Sequence, residues 1–226
     1  MLFRSRRAVV CVGGSATTDG GLGAVEALGW SLRGLEVTVA CDVTTTFVDA
    51  AAVFGPQKGA SPAQVDLLAR RLAALLDDYR QRTGVDLADL EGAGAAGGLA
   101  GGLAALGARL EPGYEVIARL AGLDRALEDA HLVVTGEGRV DATSFAGKVV
   151  GGVLEWSIDE GVPHRAVIAG QVTDEARDEL AVLPSTEVLP LTDRVWTPAE
   201  TFVRPALLVE EAAVEAGRHA LADAPG

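Results

Sequence analysis

The sequence predicts an α/β protein in which helices cover a parallel sheet. Short apolar runs of strand length alternate with amphipathic segments of helical spacing through most of the 226 residues. Several apolar runs end in glycine-rich polar loops, such as "VGGSATTDGG" at residues 12–21. Strand, loop and helix in rotation are typical of a parallel sheet, because each crossover helix returns the chain to the start of the next strand.

Two strands and four helices are predicted in the first part of the chain. The strands are at residues 8–12 and 35–40, and the helices are at residues 22–30, 62–84, 92–108 and 115–128. The second helix has the clearest signal, because Ser61 and Gln64 match a capping box and Pro62 suits the first helical position. Residues 92–108 are uncharged but mostly glycine and alanine, so we expect a tightly packed helix and no membrane span.

The later part of the chain alternates strand and helix more regularly. Its predicted strands are at residues 132–134, 166–169 and 187–191, and its predicted helices are at residues 148–160, 173–180 and 205–221. This regular pattern begins near Asp129, where the part rich in glycine and alanine ends. We therefore predict two domain-sized parts, residues 1–128 and residues 129–226.

Composition excludes several classes of protein. Hydrophobic residues make up 49% of the chain and charged residues 23%, which is typical of a globular protein and not of a disordered one. The formal net charge of −13 argues against a nucleic-acid partner, because a phosphate backbone requires a clustered basic surface. Cys11 and Cys41 each lie at the end of an apolar run, so we predict buried, reduced thiols in a cytoplasmic protein.

A glycine-rich loop follows the first predicted strand. It combines backbone donors, hydroxyl groups and one acid: Gly13, Gly14, Ser15, Thr17, Thr18 and Asp19. A loop of this kind directs N–H groups and a helix N-terminus at one point, so phosphate is the expected ligand. The alternative is a tight turn in which the hydroxyl groups and the acid only cap the helix.

Polar residues also follow two other predicted strands. Asp42 comes directly after the second strand, where α/β proteins place working carboxylates, and Lys58 precedes the capped helix. The loop "TGEGRVDATSFAGK" after residues 132–134 supplies a larger set: Gly136, Glu137, Gly138, Arg139, Asp141, Thr143, Ser144 and Lys148. Arg139 is suited to bidentate binding of a carboxylate or a phosphate. Taken singly, each charged residue could equally be an ordinary solvated side chain.

Other motifs carry less weight. No lysine follows the opening loop at the spacing of a Walker A motif. Gly92, Gly94 and Gly97 match the dinucleotide fingerprint GxGxxG, but no strand is predicted before them, so close helix packing explains these glycines better. The spacing of the three histidines suits neither a metal site nor a catalytic triad.

Four sequence blocks together resemble the type 1 glycerate kinases of bacteria. The blocks are "VGGSATTDGGLG", "CDVT…VFGPQKGA", "GAGAAGGLAGGL" and "VTGEGRVDATSFAGK", in that order, and the similarity extends from about Arg6 to the last helix. The resemblance implies ATP-dependent, Mg²⁺-assisted phosphorylation of D-glycerate to 2-phosphoglycerate. It also implies a two-domain fold with a Rossmann-like parallel sheet, incomplete in this chain, and an inserted α/β domain. Residues 1–128 would then be inserted-domain material, residues 129–226 the C-terminal half of the Rossmann-like domain, and the active site the cleft between them.

The resemblance and the chemistry of phosphoryl transfer give each cluster a role. Asp42, Arg139 and Lys58 are the candidate catalytic residues, with Asp42 as general base or Mg²⁺ ligand and the two cations offsetting charge. The candidates for nucleotide and phosphate binding are Gly13, Gly14, Ser15, Thr17, Thr18, Asp19, Gly136, Glu137, Gly138 and Lys148. Asp141 and Ser144 are the candidate substrate contacts, and Asp19 is a second candidate for Mg²⁺.

The resemblance further implies an N-terminal segment with a "PDSFK"-like loop and an "ADGGEGT"-like loop, and neither sequence occurs here. We therefore expect little kinase activity from the isolated chain. It could be a fragment, one half of a split kinase completed by a second polypeptide, or a non-catalytic nucleotide-binding module, and a homodimer is a further possibility. An NAD-dependent oxidoreductase built on the glycines at residues 92–97 is a remote alternative.

Overall fold

The computed structural model describes residues 6–145 and 147–222. Strands and helices alternate through both ranges and the strands pair in parallel, which confirms the α/β class predicted from the sequence. None of the helices in these ranges is long and apolar enough to cross a membrane.

The chain divides into two compact units, Met1–Val116 and Ile117–Gly226. This division lies before the predicted boundary at Asp129, because the helix that precedes Asp129 packs within the second unit. Its Leu127 is buried in one cluster with Val133 and Val162. The assignment of the two parts to an inserted domain and to half of a Rossmann-like domain stays a prediction.

The first unit holds a three-stranded parallel sheet. Its strands are β1 (Arg7–Cys11), β2 (Glu36–Cys41) and β3 (Arg109–Pro112), and its helices are α1 (Leu22–Ala27), α2 (Ala50–Phe54), α3 (Pro62–Thr83), α4 (Leu99–Ala105) and the start of α5 (Gly113–Ala121). The strands lie in the order β1-β2-β3, with Val39 of β2 aligned with Leu110 of β3. β3 is absent from the predicted elements, because Leu110 is the one large aliphatic residue in "RLEP".

Helix α3 supplies the largest side chains in the core of the first unit. Leu72 and Tyr79 lie two helical turns apart on one face and are buried together with Phe47. The Ser61 N–H donates to Gln64 Oε1 at 2.8 Å, which confirms the predicted capping box. The Tyr79 hydroxyl donates to the Gly20 carbonyl oxygen at 2.9 Å, so the core helix is bonded directly to the glycine-rich loop.

The connection from α1 to β2 is a tight turn with unusual backbone angles. Trp30 and Arg33 have φ values of 58° and 51°, and the flanking Gly29 and Gly34 have φ values of 67° and 78°. Non-glycine residues in this left-handed region are strained by about 1–2 kcal/mol each. The Trp30 ring is held from outside, since the Arg82 guanidinium lies 4.3 Å from its centroid.

The predicted helix at residues 92–108 is wrong in its first half. α4 begins only at Leu99, and residues 95–98 form a 3₁₀ turn in which Ala96, Gly97 and Gly98 have φ values of 52°, 68° and 94°. Left-handed residues cannot continue a right-handed helix, so the backbone turns here and approaches the glycine-rich loop. The Gly20 N–H donates to the Gly97 carbonyl oxygen at 3.0 Å, and a Cβ atom at position 97 would collide with the Thr17 carbonyl oxygen.

The predicted helix at residues 115–128 is also two elements. α5 ends at Ala121, and a new helix begins after Gly122, whose φ of 76° breaks the helical path.

The prediction for the cysteines holds for one of them. Both thiols are free and Cys41 is buried, but Cys11 is exposed, because β1 is an edge strand whose outer residues contact little.

The second unit holds a second three-stranded parallel sheet, in the order β4-β6-β8, and a short parallel pair, β5-β7. The strands are β4 (Leu132–Thr135), β5 (Arg139–Val140), β6 (His164–Ala169), β7 (Gln171–Val172) and β8 (Thr186–Pro190). The helices, after the end of α5, are α6 (Leu123–Glu128), α7 (Val149–Asp159), α8 (Asp174–Ala181) and α9 (Pro205–Ala222).

Helices cover both faces of the central strand β6, as the sequence predicts. Val167 and Ala169 point to one face and pack with residues of α7 and α8, whereas Ala166 and Ile168 point to the other and pack with residues of α9. The alternation follows from the two-residue period of a strand.

Arg165 of β6 is buried, and its guanidinium donates to the carbonyl oxygens of Val162 and Pro184 at 2.5 and 2.6 Å. Burial lowers the pKa of this guanidinium.

We predict that Gly97→Ala destabilises the first unit by about 2–5 kcal/mol, because left-handed strain of about 1–2 kcal/mol adds to overpacking of about 1–3 kcal/mol against the Thr17 carbonyl. Gly84→Ala is the matched control, since Gly84 also has a positive φ, of 76°, but has open space around it. The control should show only the strain of about 1–2 kcal/mol. Urea unfolding of both variants checks this, and equal losses would contradict the close approach.

Candidate active site

A cavity of about 520 Å³ opens at the carboxyl ends of β1 and β2 in the first unit. Its lining comes from four separate segments: Val12, Gly13, Gly14, Ser15, Asp42, Val43, Phe54, Gln57, Lys58, Ala95 and Ala96. The structure therefore brings together the first residues of the glycine-rich loop, one candidate carboxylate and one candidate lysine. Parallel sheets commonly bind ligands at this edge, because loops from neighbouring strands converge there.

Asp42 lies one residue beyond β2 and is fixed by the first residue of α5. The Gly113 N–H donates to Asp42 Oδ1 at 2.9 Å. A side chain at position 113 could not be accommodated, since a Cβ atom there would lie 2.6 Å from the same oxygen. Asp42 Oδ2 has no hydrogen-bond partner among the described residues, so one carboxylate oxygen is positioned and the other is free to accept a proton or a cation.

Lys58 follows a turn that begins at Gly55 and Pro56. Its ammonium donates to the Thr17 carbonyl oxygen at 2.6 Å, which joins this turn to the glycine-rich loop. Burial lowers the pKa of Lys58, and the nearby Asp19 carboxylate partly opposes that shift. Lys58 thus places a partly desolvated positive charge in the cavity wall, where it attracts an anion more strongly than in open water.

The second half of the glycine-rich loop lies away from this cavity. Asp19 Oδ1 accepts the Gly21 N–H at 3.1 Å within the turn before α1, and α1 itself has no side-chain cap, so the predicted capping role stays a prediction. Thr18 lines a neighbouring cavity together with Lys58, and Thr17 lines neither of the two cavities. Of the six loop residues predicted to bind phosphate, Gly13, Gly14 and Ser15 lie beside Asp42 and Lys58.

Sequence reasoning missed Ala95 and Ala96 as part of the cavity wall. They belong to the left-handed 3₁₀ turn before α4, which brings the backbone beside Asp42 and Ser15 in the same cavity. Methyl side chains carry no chemical signal, so composition alone could not have identified them. The irregular spacing of the glycines in "GAGAAGGLAGGL" was the available sign that this segment is not one helix.

In the second unit, one polar network follows β5. Asp141 Oδ1 accepts hydrogen bonds from the Thr143 hydroxyl at 2.7 Å and the Thr143 N–H at 2.9 Å. These bonds lower the pKa of Asp141, and the charges of Lys148 and Arg139 lower it further. Lys148 Nζ donates to the same Thr143 hydroxyl at 2.7 Å. Asp141 and Lys148 are therefore coupled through Thr143, a residue of the same loop to which the sequence analysis assigned no separate role.

Ser144 differs from its neighbours because it is buried. Its hydroxyl oxygen accepts the Asp141 N–H at 3.1 Å, so it shapes the turn that presents Asp141. Before this turn, the carbonyl oxygens of Glu137 and Gly138 accept N–H groups from Gly170 and Gln171 at 3.2 and 3.1 Å. The loop that contains Gly136 and leads to Arg139 is thereby attached to the carboxyl end of β6.

A cluster of possible metal ligands elsewhere in the second unit was not expected from the sequence. The ligand atoms of Glu187, Glu215 and His219 lie within 4.8 Å of one another. His219 Nδ1 lies 3.0 Å from Glu187 Oε1, and Arg194 donates to Glu215 at 2.6 Å. Arg194 already neutralises one of the carboxylates, and all three side chains reach solvent, so ion pairing explains the cluster.

Together these observations define an α/β protein that places glycine-rich loops, carboxylates and lysines at the carboxyl ends of parallel strands. Comparison with known proteins then identifies its family. The model of the glycerate kinase family matches residues 4–33 and 30–221, in two segments that overlap at residues 30–33. Because the two segments span almost the whole sequence, the chain belongs to the glycerate kinase family.

Two named relatives support the same family. Glycerate 2-kinase of Escherichia coli (strain K12) is 37% identical over 203 residues, covering 74% of this chain and 52% of that protein. Glycerate kinase of Bacillus subtilis (strain 168) is 34% identical over 212 residues, covering 79% of this chain and 54% of that protein. The chain therefore spans about half the length of the curated relatives it matches.

A solved structure agrees with the fold. The crystal structure of a "putative glycerate kinase 2" from Salmonella typhimurium LT2 superposes with a TM-score of 0.65 at 32% sequence identity. The match covers 81% of this chain and 56% of the other. The similarity thus extends over most of the chain, but the active site that the sequence predicts from both groups of loops stays a prediction.

We predict that Asp141→Asn lowers the stability of the chain near neutral pH. The pKa of Asp141 is lower in the folded chain than in the unfolded one, so its ionised form stabilises the fold above the unfolded pKa of about 4. That contribution is lost as the pH falls through the folded pKa. The difference in melting temperature between parent and variant should therefore be present at about pH 7 and shrink toward about pH 3.

Asp178→Asn is the control for this measurement. Asp178 is exposed on α8 and has no hydrogen-bond partner among the described residues, so Asp178→Asn should keep the melting temperature of the parent at about pH 7. A difference for Asp141→Asn that does not change with pH would contradict the role assigned to its ionised carboxylate.

Proposed function

We propose that this chain is part of an enzyme that transfers the γ-phosphoryl group of ATP to D-glycerate and forms 2-phosphoglycerate. Membership of the glycerate kinase family supports the reaction class. The observation that carries the proposal is the cavity in which the start of the glycine-rich loop, Asp42 and Lys58 meet. Phosphoryl transfer depends mainly on positioning and on charge neutralisation, and these groups can supply both.

Asp42 is the proposed general base. Its Oδ1 is held by the Gly113 N–H, which fixes the orientation of the carboxylate, and its Oδ2 is free to accept the proton of the glycerate hydroxyl. Lys58 and the backbone N–H groups of Gly13 and Gly14 would bind the oxygens that gain negative charge during transfer. Ser15 adds a hydroxyl donor in the same wall.

The residues present also fit a magnesium ion. Mg²⁺ prefers carboxylate oxygens and usually binds one or two of them together with substrate phosphates. Asp42 suits this better than Asp19, because Asp42 lines the cavity with a free oxygen, whereas Asp19 lies outside it and accepts the Gly21 N–H. When bound, Mg²⁺ would neutralise charge on the phosphate oxygens.

The second unit carries further residues to which we assign binding roles. Arg139 is exposed at the start of β5, and its guanidinium suits the carboxylate of glycerate or the transferred phosphoryl group. Lys148 would add positive charge for the nucleotide phosphates, with Gly136, Glu137 and Gly138 in the same loop. We assign Asp141 to substrate binding. The buried Ser144 would position Asp141, because its hydroxyl oxygen accepts the Asp141 N–H.

The main alternative is a chain that binds nucleotide but needs another polypeptide for turnover. It is favoured by one observation, which is that the chain spans about half the length of its curated relatives. The oxidoreductase alternative loses support, because the element directly before the 92–97 glycines is helix α3 and not a strand, and three of the residues at 95–98 are left-handed.

The test is a coupled assay for ADP release with Mg·ATP and D-glycerate. The purified chain is assayed alone and then mixed with the part of Escherichia coli glycerate 2-kinase that it does not match. Glycerate-dependent ADP release in either arm supports the kinase. If neither arm releases ADP while calorimetry detects ATP binding, the chain is a nucleotide-binding module and the proposed turnover is wrong.

In whichever arm is active, we predict that Asp42→Asn lowers kcat by about 10²–10⁴-fold, the usual contribution of a general base. Asp77→Asn is the matched control, because Asp77 is exposed on α3 and lines neither cavity. The control should keep kcat within about twofold, as a surface substitution normally does. Similar activity of Asp42→Asn and the parent would remove Asp42 from the catalytic role.

A further inference from the structure

A second cavity of about 310 Å³ in the first unit shares Lys58 with the cavity of Asp42. It is bounded by the middle of the glycine-rich loop, the turn that ends at Ala60 and one face of α3. Its lining residues are Ala16, Thr18, Gly55, Lys58, Gly59, Ala60, Gln64, Leu67, Leu68 and Arg71. Thr18 and Lys58 are already candidates for phosphate binding and catalysis, but the other lining residues from the turn and α3 have no assigned ligand.

The cavity contains two cations without acidic partners. Among the described residues, no carboxylate lies within ion-pair distance of Lys58 or Arg71. Two other arginines of α3 are paired, since Arg82 contacts Asp78 at 2.8 Å and Arg80 contacts Asp86 at 3.4 Å, whereas Arg70, which does not line the cavity, has no ion pair among the described residues. Two unpaired cations in one wall are notable in a chain with a formal net charge of −13.

The neutral polar groups in the wall are available as donors as well. Gln64 uses its side-chain oxygen to accept the Ser61 N–H in the capping box, so its amide NH₂ group remains to donate. The Thr18 hydroxyl has no hydrogen-bond partner among the described residues. No acidic residue belongs to the lining, and every polar side chain in it is therefore able to donate to a ligand.

The rest of the wall is apolar and the volume is small. Leu67, Leu68 and Ala60 offer a carbon surface beside the donors. A volume of about 310 Å³ is at the lower end of the range for ligand sites, which suits a molecule of a few carbons. Two cations and two neutral donors match the several oxygens of a phosphate group better than the two oxygens of a carboxylate.

We propose that this second cavity binds a small organic phosphate, with Lys58 and Arg71 on the phosphate and Leu67 and Leu68 on the carbon skeleton. The site is separate from the cavity of Asp42, but Lys58 lines both cavities. An anion bound here therefore interacts with the same ammonium group that the candidate active site uses. The proposal goes beyond the proposed kinase function, because it concerns binding and holds whether or not the chain turns over glycerate.

The test is a titration of the full chain, labelled with ¹⁵N, with glycerol 2-phosphate, inorganic phosphate and glycerol. We expect saturable shifts of the Thr18, Gly59 and Ala60 amide signals with glycerol 2-phosphate. Inorganic phosphate should bind the same amides more weakly, and glycerol should not shift them. Shifts confined to Gly13, Gly14 and Asp42 would place the anion in the other cavity and overturn the proposal, as would the absence of saturable shifts.

Comparison of Arg71→Gln with Arg70→Gln distinguishes binding in this cavity from general electrostatic attraction of the anion to the surface of α3. Both changes remove one positive charge from neighbouring exposed positions of α3, but only Arg71 lines the cavity. Arg71→Gln should raise the Kd for glycerol 2-phosphate about tenfold or more, the usual effect of losing a charged hydrogen bond, and Arg70→Gln should change it less than about twofold. Equal weakening by both variants would overturn the proposal, and the amide spectra show directly that each variant is folded.

Discussion

The first unit depends on one close contact between two pieces of backbone. The glycine-rich loop after β1 lies against the left-handed turn at residues 95–98, with the Gly20 N–H bonded to the Gly97 carbonyl and no space for a side chain at position 97. Tyr79 holds the same loop from the core through the Gly20 carbonyl. Because its far end is fixed in this way, the loop can leave Gly13, Gly14 and Ser15 open toward Asp42.

In the second unit, the polar loop is held in place by hydrogen bonds to its carbonyl oxygens. Gly170 and Gln171, beyond β6, donate to the carbonyl oxygens of Glu137 and Gly138, and the Asp141–Thr143 bonds then form the following turn. Asp42 and Asp141 are thus each held in part by a backbone N–H group, from Gly113 and Thr143, and backbone groups are stiffer than long side chains. Preorganisation of this kind favours catalysis, since little reorganisation is needed when charge develops.

The sequence allowed prediction of the elements whose ends have strong local signals. Helix α3 has a capping box at Ser61 and a left-handed Gly84 at its end, so both bounds are local properties. Strand β3 and the turn at residues 95–98 are set by tertiary contacts instead, and the sequence patterns did not show them. The same difference applies to the candidate site: Asp42 and Lys58 carry recognisable chemistry, whereas Ala95 and Ala96 join them only through the path of the backbone.

The tight turn at residues 29–34 coincides with a break in the family match, which divides into two segments at residues 30–33. Both segments of the match include residues 30–33, so this corner is where the match to the family is discontinuous. Trp30 and Arg33 lie in the left-handed region because the short connection has to reverse direction within a few residues. The stacking of Arg82 on Trp30 therefore attaches the C-terminal end of α3 to the corner at which the match is discontinuous.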